Sequence, residues 1–130
     1  MIKKITLIIT LISLNSCVTN NIISPIVGTW EADFDGCIET WIIDNKGNRV
    51  SISGEEQTNN KFIIQKLEEN VYKMTDTRLS TNSKSDCSGE IVDIPIGNVT
   101  TGIIKFQGNN RFTLCNTEEC LDKSPFIRKK

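Results

Sequence analysis

The chain has 130 residues, with 15 basic and 16 acidic side chains, five cysteines and no histidine. That length suits one domain with one core, and the near-even charge argues against a nucleic-acid partner, whose binders concentrate positive charge. The missing histidine removes Ser-His and Cys-His nucleophile pairs and the commonest general base near neutral pH.

The N-terminus comes first in chain order. Lys3 and Lys4 precede an uncharged, largely apolar run from Ile5 to Leu14, followed by the small residue Ser16 and by Cys17. A basic start, a short apolar run and a small-residue cut site predict a secretory signal. The run is too short to cross a bilayer, which takes about 20 residues. Leu14-Asn15-Ser16-Cys17 resembles the lipobox of bacterial lipoproteins, Leu-x-(Gly/Ala/Ser)-Cys. The resemblance implies cleavage of residues 1–16, lipid attachment at Cys17, an anchor and tether over 17–27, and a single domain over 28–130. Val18 stands where an Asp would favour inner-membrane retention in the Gram-negative pattern. The expected location is therefore the outer membrane, with the lipid bilayer as partner through the acyl anchor and the domain facing the periplasm or the exterior. Removing the signal takes away two lysines and no acid, leaving 13 basic against 16 acidic residues, a net −3.

The remainder predicts a series of short strands. Thr29–Phe34 is the first, and Cys37–Asp44, rich in β-branched and aromatic residues, is the second. Asn45-Lys46-Gly47-Asn48 has turn chemistry, and Arg49–Ser53 completes a hairpin. Gly54–Asn60 is expected as a polar loop, Lys61–Leu67 and Val71–Arg78 as paired strands, and Leu79–Ser88 as a breaker-rich loop. Gly89–Ile94, Thr100–Gln107 and Arg111–Cys115 follow as strands, whereas Asn116–Lys130 has no clear period and its basic end, Arg128-Lys129-Lys130, reads as a solvated terminus. About eight strands joined mainly by tight turns predict an all-β fold, a small antiparallel up-and-down barrel or sandwich.

If lipid consumes Cys17, the four remaining cysteines, Cys37, Cys87, Cys115 and Cys120, are an even set in an exported domain, which predicts disulfides. Of three pairings we favour Cys115–Cys120, a local closure, with Cys37–Cys87 across the fold. Four thiolates on zinc are disfavoured by the lack of Cys-x2-Cys pairs.

Gly28-Thr29-Trp30 at the start of the first strand, followed by the meander, resembles the lipocalin-like (calycin) superfamily. The resemblance implies that Trp30 plugs the closed end of a barrel. The same opening followed by Cys37 resembles small periplasmic metalloprotease inhibitors, and the size, anchor and cysteines resemble lysozyme-inhibitor lipoproteins. The whole chain resembles small uncharacterised Gram-negative lipoproteins.

Constellations for chemistry are sparse. Asp44 to Glu55 has the outline of a calcium loop, but Lys46 and Arg49 occupy its third and sixth places, so no metal ligands are assigned. Asp33, Asp35 and Glu39 cluster around Cys37, and Glu55-Glu56 lies in the expected loop; neither group is assigned a catalytic role, and no cofactor is expected. Trp41 shares a face with Glu39 and Ile43 and belongs in the core, with an exposed anchor as the alternative. The loop Leu79–Ser88, with Asp86, is the candidate contact loop. The expected function is a non-enzymatic module that binds or inhibits an envelope protein or a small ligand. The alternatives are a carrier of a small apolar ligand, which a core filled by Trp30, Trp41, Phe62, Phe106 and Phe112 would exclude, and a structural or secretion-associated lipoprotein.

Overall fold

A computed structural model describes residues 21–22, 24–116, 120 and 124–130. The signal segment and Cys17 lie outside them. Alternating side chains, punctuated by Gly, Asn and Asp turns, produce nine strands: β1 (Asn21–Ile22), β2 (Gly28–Phe34), β3 (Cys37–Ile43), β4 (Asn48–Ser53), β5 (Glu56–Glu68), β6 (Val71–Thr81), β7 (Val99–Phe106), β8 (Arg111–Cys115) and β9 (Phe126–Arg128), with a short 3-10 turn over Ser24–Ile26. From β2 to β9 each strand pairs antiparallel with the next, and β9 returns to β2, closing an eight-stranded up-and-down barrel. Closure leaves no free edge between these strands. The two-residue β1 adds to β5 through Asn21 opposite Gln65 and Ile22 opposite Ile64. Such a barrel is compatible with a lipocalin-like fold.

The expected disulfides form: Cys37–Cys87 joins residues 50 apart, and Cys115–Cys120 joins residues five apart. The hairpin turn after β3 is organised by Asp44, whose carboxylate accepts hydrogen bonds from the backbone of Lys46 and Asn48 and from the Asn48 side chain. Those bonds hold its pKa below the ordinary carboxylate value, the Asn48 side chain contributing most.

The barrel has two chemically different halves. In one, Trp30, Trp41, Phe62, Phe106, Phe112 and Phe126 are buried together with Ile26, Ile64 and Ile104. Phe112 stacks on Phe126 with centroids 4.9 Å apart, and Trp30 meets Phe112 edge-on at 4.8 Å. Each such side chain contributes roughly 1.5–3 kcal/mol by leaving water, and aromatic pairs add about 0.5–1.5 kcal/mol. All five aromatics named from the sequence as core fillers are there.

This half is closed at its end. The Trp30 indole donates to the Ile26 carbonyl at 2.8 Å, so residues assigned to the tether from the sequence pack into the barrel end. Arg128 lies over the Trp30 ring, 4.1 Å from its centroid, and donates to the carbonyls of Pro25, Val27 and Asn109. The reading of Arg128 as solvated is thereby corrected; Lys129 beside it pairs with Glu31 at 3.0 Å. Gly28 is what admits the guanidinium. Its φ is +134°, and a Cβ there would come within 2.6 Å of Arg128 Nη1.

Five assignments change. Residues 79–81, expected to open the loop Leu79–Ser88, are the end of β6, and residues 21–22, expected in the tether, form β1. Residues 56–60, expected as loop, are the first third of β5, because Glu56, Thr58 and Asn60 point inward and Gln57 and Asn59 outward. Residues 89–94, expected as strand, belong to the connection between β6 and β7, where Ile91 and Val92 remain exposed. Residues 126–128, in the stretch without a period, form the strand that closes the barrel.

Candidate functional site

The other half of the barrel is polar inside and opens at the end opposite Arg128. It forms a cup of about 200 Å³. β4 supplies Arg49, Ser51 and Ser53, β5 supplies Glu56, Thr58 and Asn60, β6 supplies Asp76 and Arg78, and β3 supplies Glu39 and Trp41. Period-two alternation continues unbroken from the apolar half, so these residues face inward for the same reason that Phe62 and Met74 do.

The floor is Trp41. Arg49 covers its ring at 4.3 Å, and Phe126 packs against it with centroids 4.4 Å apart. Trp41 is thus a core residue whose edge reaches the cup, and the exposed-anchor alternative does not hold. Its indole donates to Glu39 Oε1 at 2.7 Å.

Above the floor, Arg49 donates to Asp76 Oδ2 at 2.6 Å, and Asn60 Nδ2 donates to the same oxygen at 2.8 Å. Burying an ion pair costs several kcal/mol per ion unless further hydrogen bonds complete it. They do not complete it here. Arg49 Nε, Asp76 Oδ1, Asn60 Oδ1, Glu56 Oε2 and Arg78 Nη1 are all buried without a hydrogen-bond partner among the described residues. The five residues that carry them are at most 9 % exposed. Unsatisfied buried polar atoms are rare in folded proteins, and each costs about 1–3 kcal/mol. Here all five belong to residues lining one cavity.

The charges are also unevenly paired. Arg49 has Asp76, but among the described residues Arg78 makes no ion pair, and neither does Glu56. Burial raises the pKa of Glu39, partly offset by the hydrogen bond from Trp41 and the attraction of Arg49, while Glu56 and Asp86 push it further up.

The connection between β6 and β7 covers part of the mouth. Asp86, Ile94 and Asn98 from it line the cup. Cys37–Cys87 staples it to the start of β3, the backbone of Glu55 and Glu56 donates to the Ser85 carbonyl, and Cys87 donates to Ser53 Oγ. At Gly54, a Cβ would stand 2.8 Å from the Asp86 carbonyl oxygen, so the β4–β5 turn and this connection touch backbone to backbone. Asp86, singled out from the sequence, sits at the rim. Hydrogen bonds from Ser88, its hydroxyl foremost, lower its pKa.

The acids proposed from the sequence separate. Asp33 and Asp35 are exposed at the β2–β3 turn, Asp33 accepting from the Gly36 amide, and only Glu39 enters the cup. Glu55 points to solvent, whereas Glu56 is buried. Arg49, Asn60, Asp76 and Arg78 were not singled out by the sequence; inward-facing polar residues on strands otherwise apolar inside are the signal that marks them.

A larger recess, about 440 Å³, lies outside the barrel against β2 and β9, lined by Ala32, Ile38, Ile127 and neighbouring charged residues. Among the described residues it gathers no unpartnered buried polar atom. Comparison with protein-family models, curated proteins and solved structures finds no match. The cup's own chemistry is what bears on function.

Proposed function

We propose that the chain is a lipoprotein held at the bacterial envelope through Cys17, and that its barrel is a non-enzymatic binding module whose site is the polar cup. The observation that carries this reading is the convergence of five buried, unpartnered polar atoms on one cavity. A fold that only needed stability would fill this half as it fills the other, since exchanging a buried ion pair for packed apolar side chains is often neutral or stabilising. Polar groups held at that cost are pre-organised for something that satisfies them. The lipobox and the even set of paired cysteines support export and anchoring, and the Trp30 plug supports a place among lipocalin-like folds.

Binding rather than turnover is favoured by how the reactive groups are occupied. Asp76 is fixed by Arg49 and Asn60, Glu39 by the Trp41 indole, and Ser53 Oγ accepts from the Cys87 amide. Among the described residues no hydroxyl that lines the cup is hydrogen-bonded to a carboxylate; the Ser88 hydroxyl, which bonds Asp86, stands outside it. A carrier of an apolar ligand finds no support, because the apolar half is filled with aromatic rings and the open half is polar.

The test is native mass spectrometry of the full-length protein, purified from membranes in mild detergent and incubated with a small-molecule extract of the envelope. A discrete small-molecule adduct is expected on the wild type and is expected to be lost in Arg78→Met. A wild type that stays bare refutes the assignment of the cup as a binding site.

A further inference from the structure

The occupant's chemistry follows from which atoms in the cup lack partners. We propose that the cup takes a small zwitterion of the size and charge pattern of a free α-amino acid, its carboxylate toward Arg78 and its ammonium toward Glu56. This rests on the reading of the cup as a binding site.

Three features select that class. The first is charge. Arg78 and Glu56 are each nine-tenths buried, and neither makes an ion pair among the described residues. An anion would answer Arg78 and leave Glu56 facing it; a cation would do the reverse. A buried charge left without a counter-charge is strongly destabilising. A ligand carrying both charges side by side, as an α-amino acid does on its α-carbon, answers both. Inorganic phosphate is disfavoured further, because four carboxylates, Glu39, Glu56, Asp76 and Asp86, line the same cavity as the two guanidinium groups.

The second feature is the count of donors and acceptors. Arg49 Nε and Arg78 Nη1 need acceptors, while Glu56 Oε2, Asp76 Oδ1 and Asn60 Oδ1 need donors. A carboxylate offers two oxygens and an ammonium three N–H groups. The two groups thus supply the acceptor that Arg78 Nη1 lacks and the donor that Glu56 Oε2 lacks. A neutral sugar could supply hydroxyls, but it brings no charge for Arg78 or Glu56. It also has no ring to stack on, because Arg49 and Phe126 already lie against the Trp41 indole.

The third is size. The cup's volume of about 200 Å³ is below that of pockets for drug-sized ligands, which start near ~300 Å³. A cup of that volume suits a ligand of amino-acid size.

The experiment titrates the full-length protein in detergent calorimetrically with each of the 20 free amino acids. Each that binds is then followed by its N-acetyl derivative and its carboxamide, with glucose, ribose and inorganic phosphate as further probes. At least one free amino acid is expected to bind with one-to-one stoichiometry, and blocking either end is expected to weaken it at least tenfold. In Arg78→Met the preference for the free acid over the carboxamide is expected to vanish, and in Glu56→Gln the preference for the free amine over the N-acetyl form. Arg78→Lys, which keeps the positive charge, is expected to retain the first preference and so to separate charge recognition from misfolding. Tight binding of phosphate or a monosaccharide, or equal binding of blocked and free forms, overturns the zwitterion. If no amino acid binds but the envelope extract still yields an adduct, the ligand class is wrong and the binding site stands. If neither binds and Arg78→Met is simply more stable, the cup is a water-filled interior and both readings fall.

Discussion

Glu39 shows how the cup and the fold pull on one carboxyl group. Desolvation raises its pKa above the ordinary 4.5, and the Trp41 indole and Arg49 recover only part of the shift. The folded state therefore holds the Glu39 proton more tightly than the unfolded chain does. By linkage, this residue's contribution makes the protein more stable as pH falls from the raised pKa toward 4.5, and its ionised form is a standing cost above that window. Glu39→Gln keeps an oxygen for the indole and removes the charge. Its stability relative to wild type is expected to be higher at pH 7, with the gap closing as pH approaches 4.5. Urea unfolding of both proteins across that range measures it; a gap that does not change with pH means that Glu39 does not titrate as described. At the same scale, Arg128 shows why some residues are illegible in a sequence. Next to two lysines at the chain end it looks solvated, and only closure of the barrel brings it onto Trp30 and three carbonyls. The Gly28-x-Trp30 pair was legible as a plug, but its partner lies about a hundred residues away.

Among the elements, β5 and the β6–β7 connection were read in opposite senses for one reason. Hydrophobic alternation reports a strand only when the face it buries is apolar. Residues 54–60 are uniformly polar, so a strand whose inward side chains are Glu56, Thr58 and Asn60 looks like a loop. Ile91, Val92 and Ile94 alternate and branch like a strand but find no partner strand. The strands that carry Glu39, Arg49, Asp76 and Arg78 were therefore visible beforehand, and the segment that carries Glu56, Thr58 and Asn60 was hidden by the polarity that places it in the site. What fixes the connection is Cys37–Cys87, which belongs to the favoured one of the three pairings that remain once Cys17 is set aside. In the chain-entropy account, cross-linking residues 50 apart stabilises by about 4 kcal/mol, against about 2 kcal/mol for the five-residue closure at Cys115–Cys120. The double variant Cys37→Ser/Cys87→Ser is expected to lower Tm by about 15 °C, clearly more than Cys115→Ser/Cys120→Ser. Scanning calorimetry of the two double variants decides it, and the reverse order would show that the long closure does not dominate.

For the whole molecule, β1, where the described chain begins, and the cup lie at opposite ends. β1 docks on β5 at Ile64 and Gln65, near the closed end, whereas the cup begins at Glu56. Nine residues of strand separate Glu56 from Gln65, or ~30 Å at about 3.4 Å per residue. Cys17 precedes Asn21 by four residues, which reach at most ~14 Å when extended. An acyl chain on Cys17 would therefore hold the closed end against the bilayer and turn the mouth outward, toward whatever diffuses past the membrane. Lys66, beside the β5–β6 turn, and Lys84, on the connection over the mouth, are both exposed and report on the two ends. Acetylation of native membranes, compared with the Cys17→Ser protein released from them, is expected to show Lys66 protected several-fold and Lys84 unprotected. Protection of Lys84 instead would mean that the mouth faces the lipid, and a Cys17→Ser protein still sedimenting with membranes would remove the anchor on which the orientation depends.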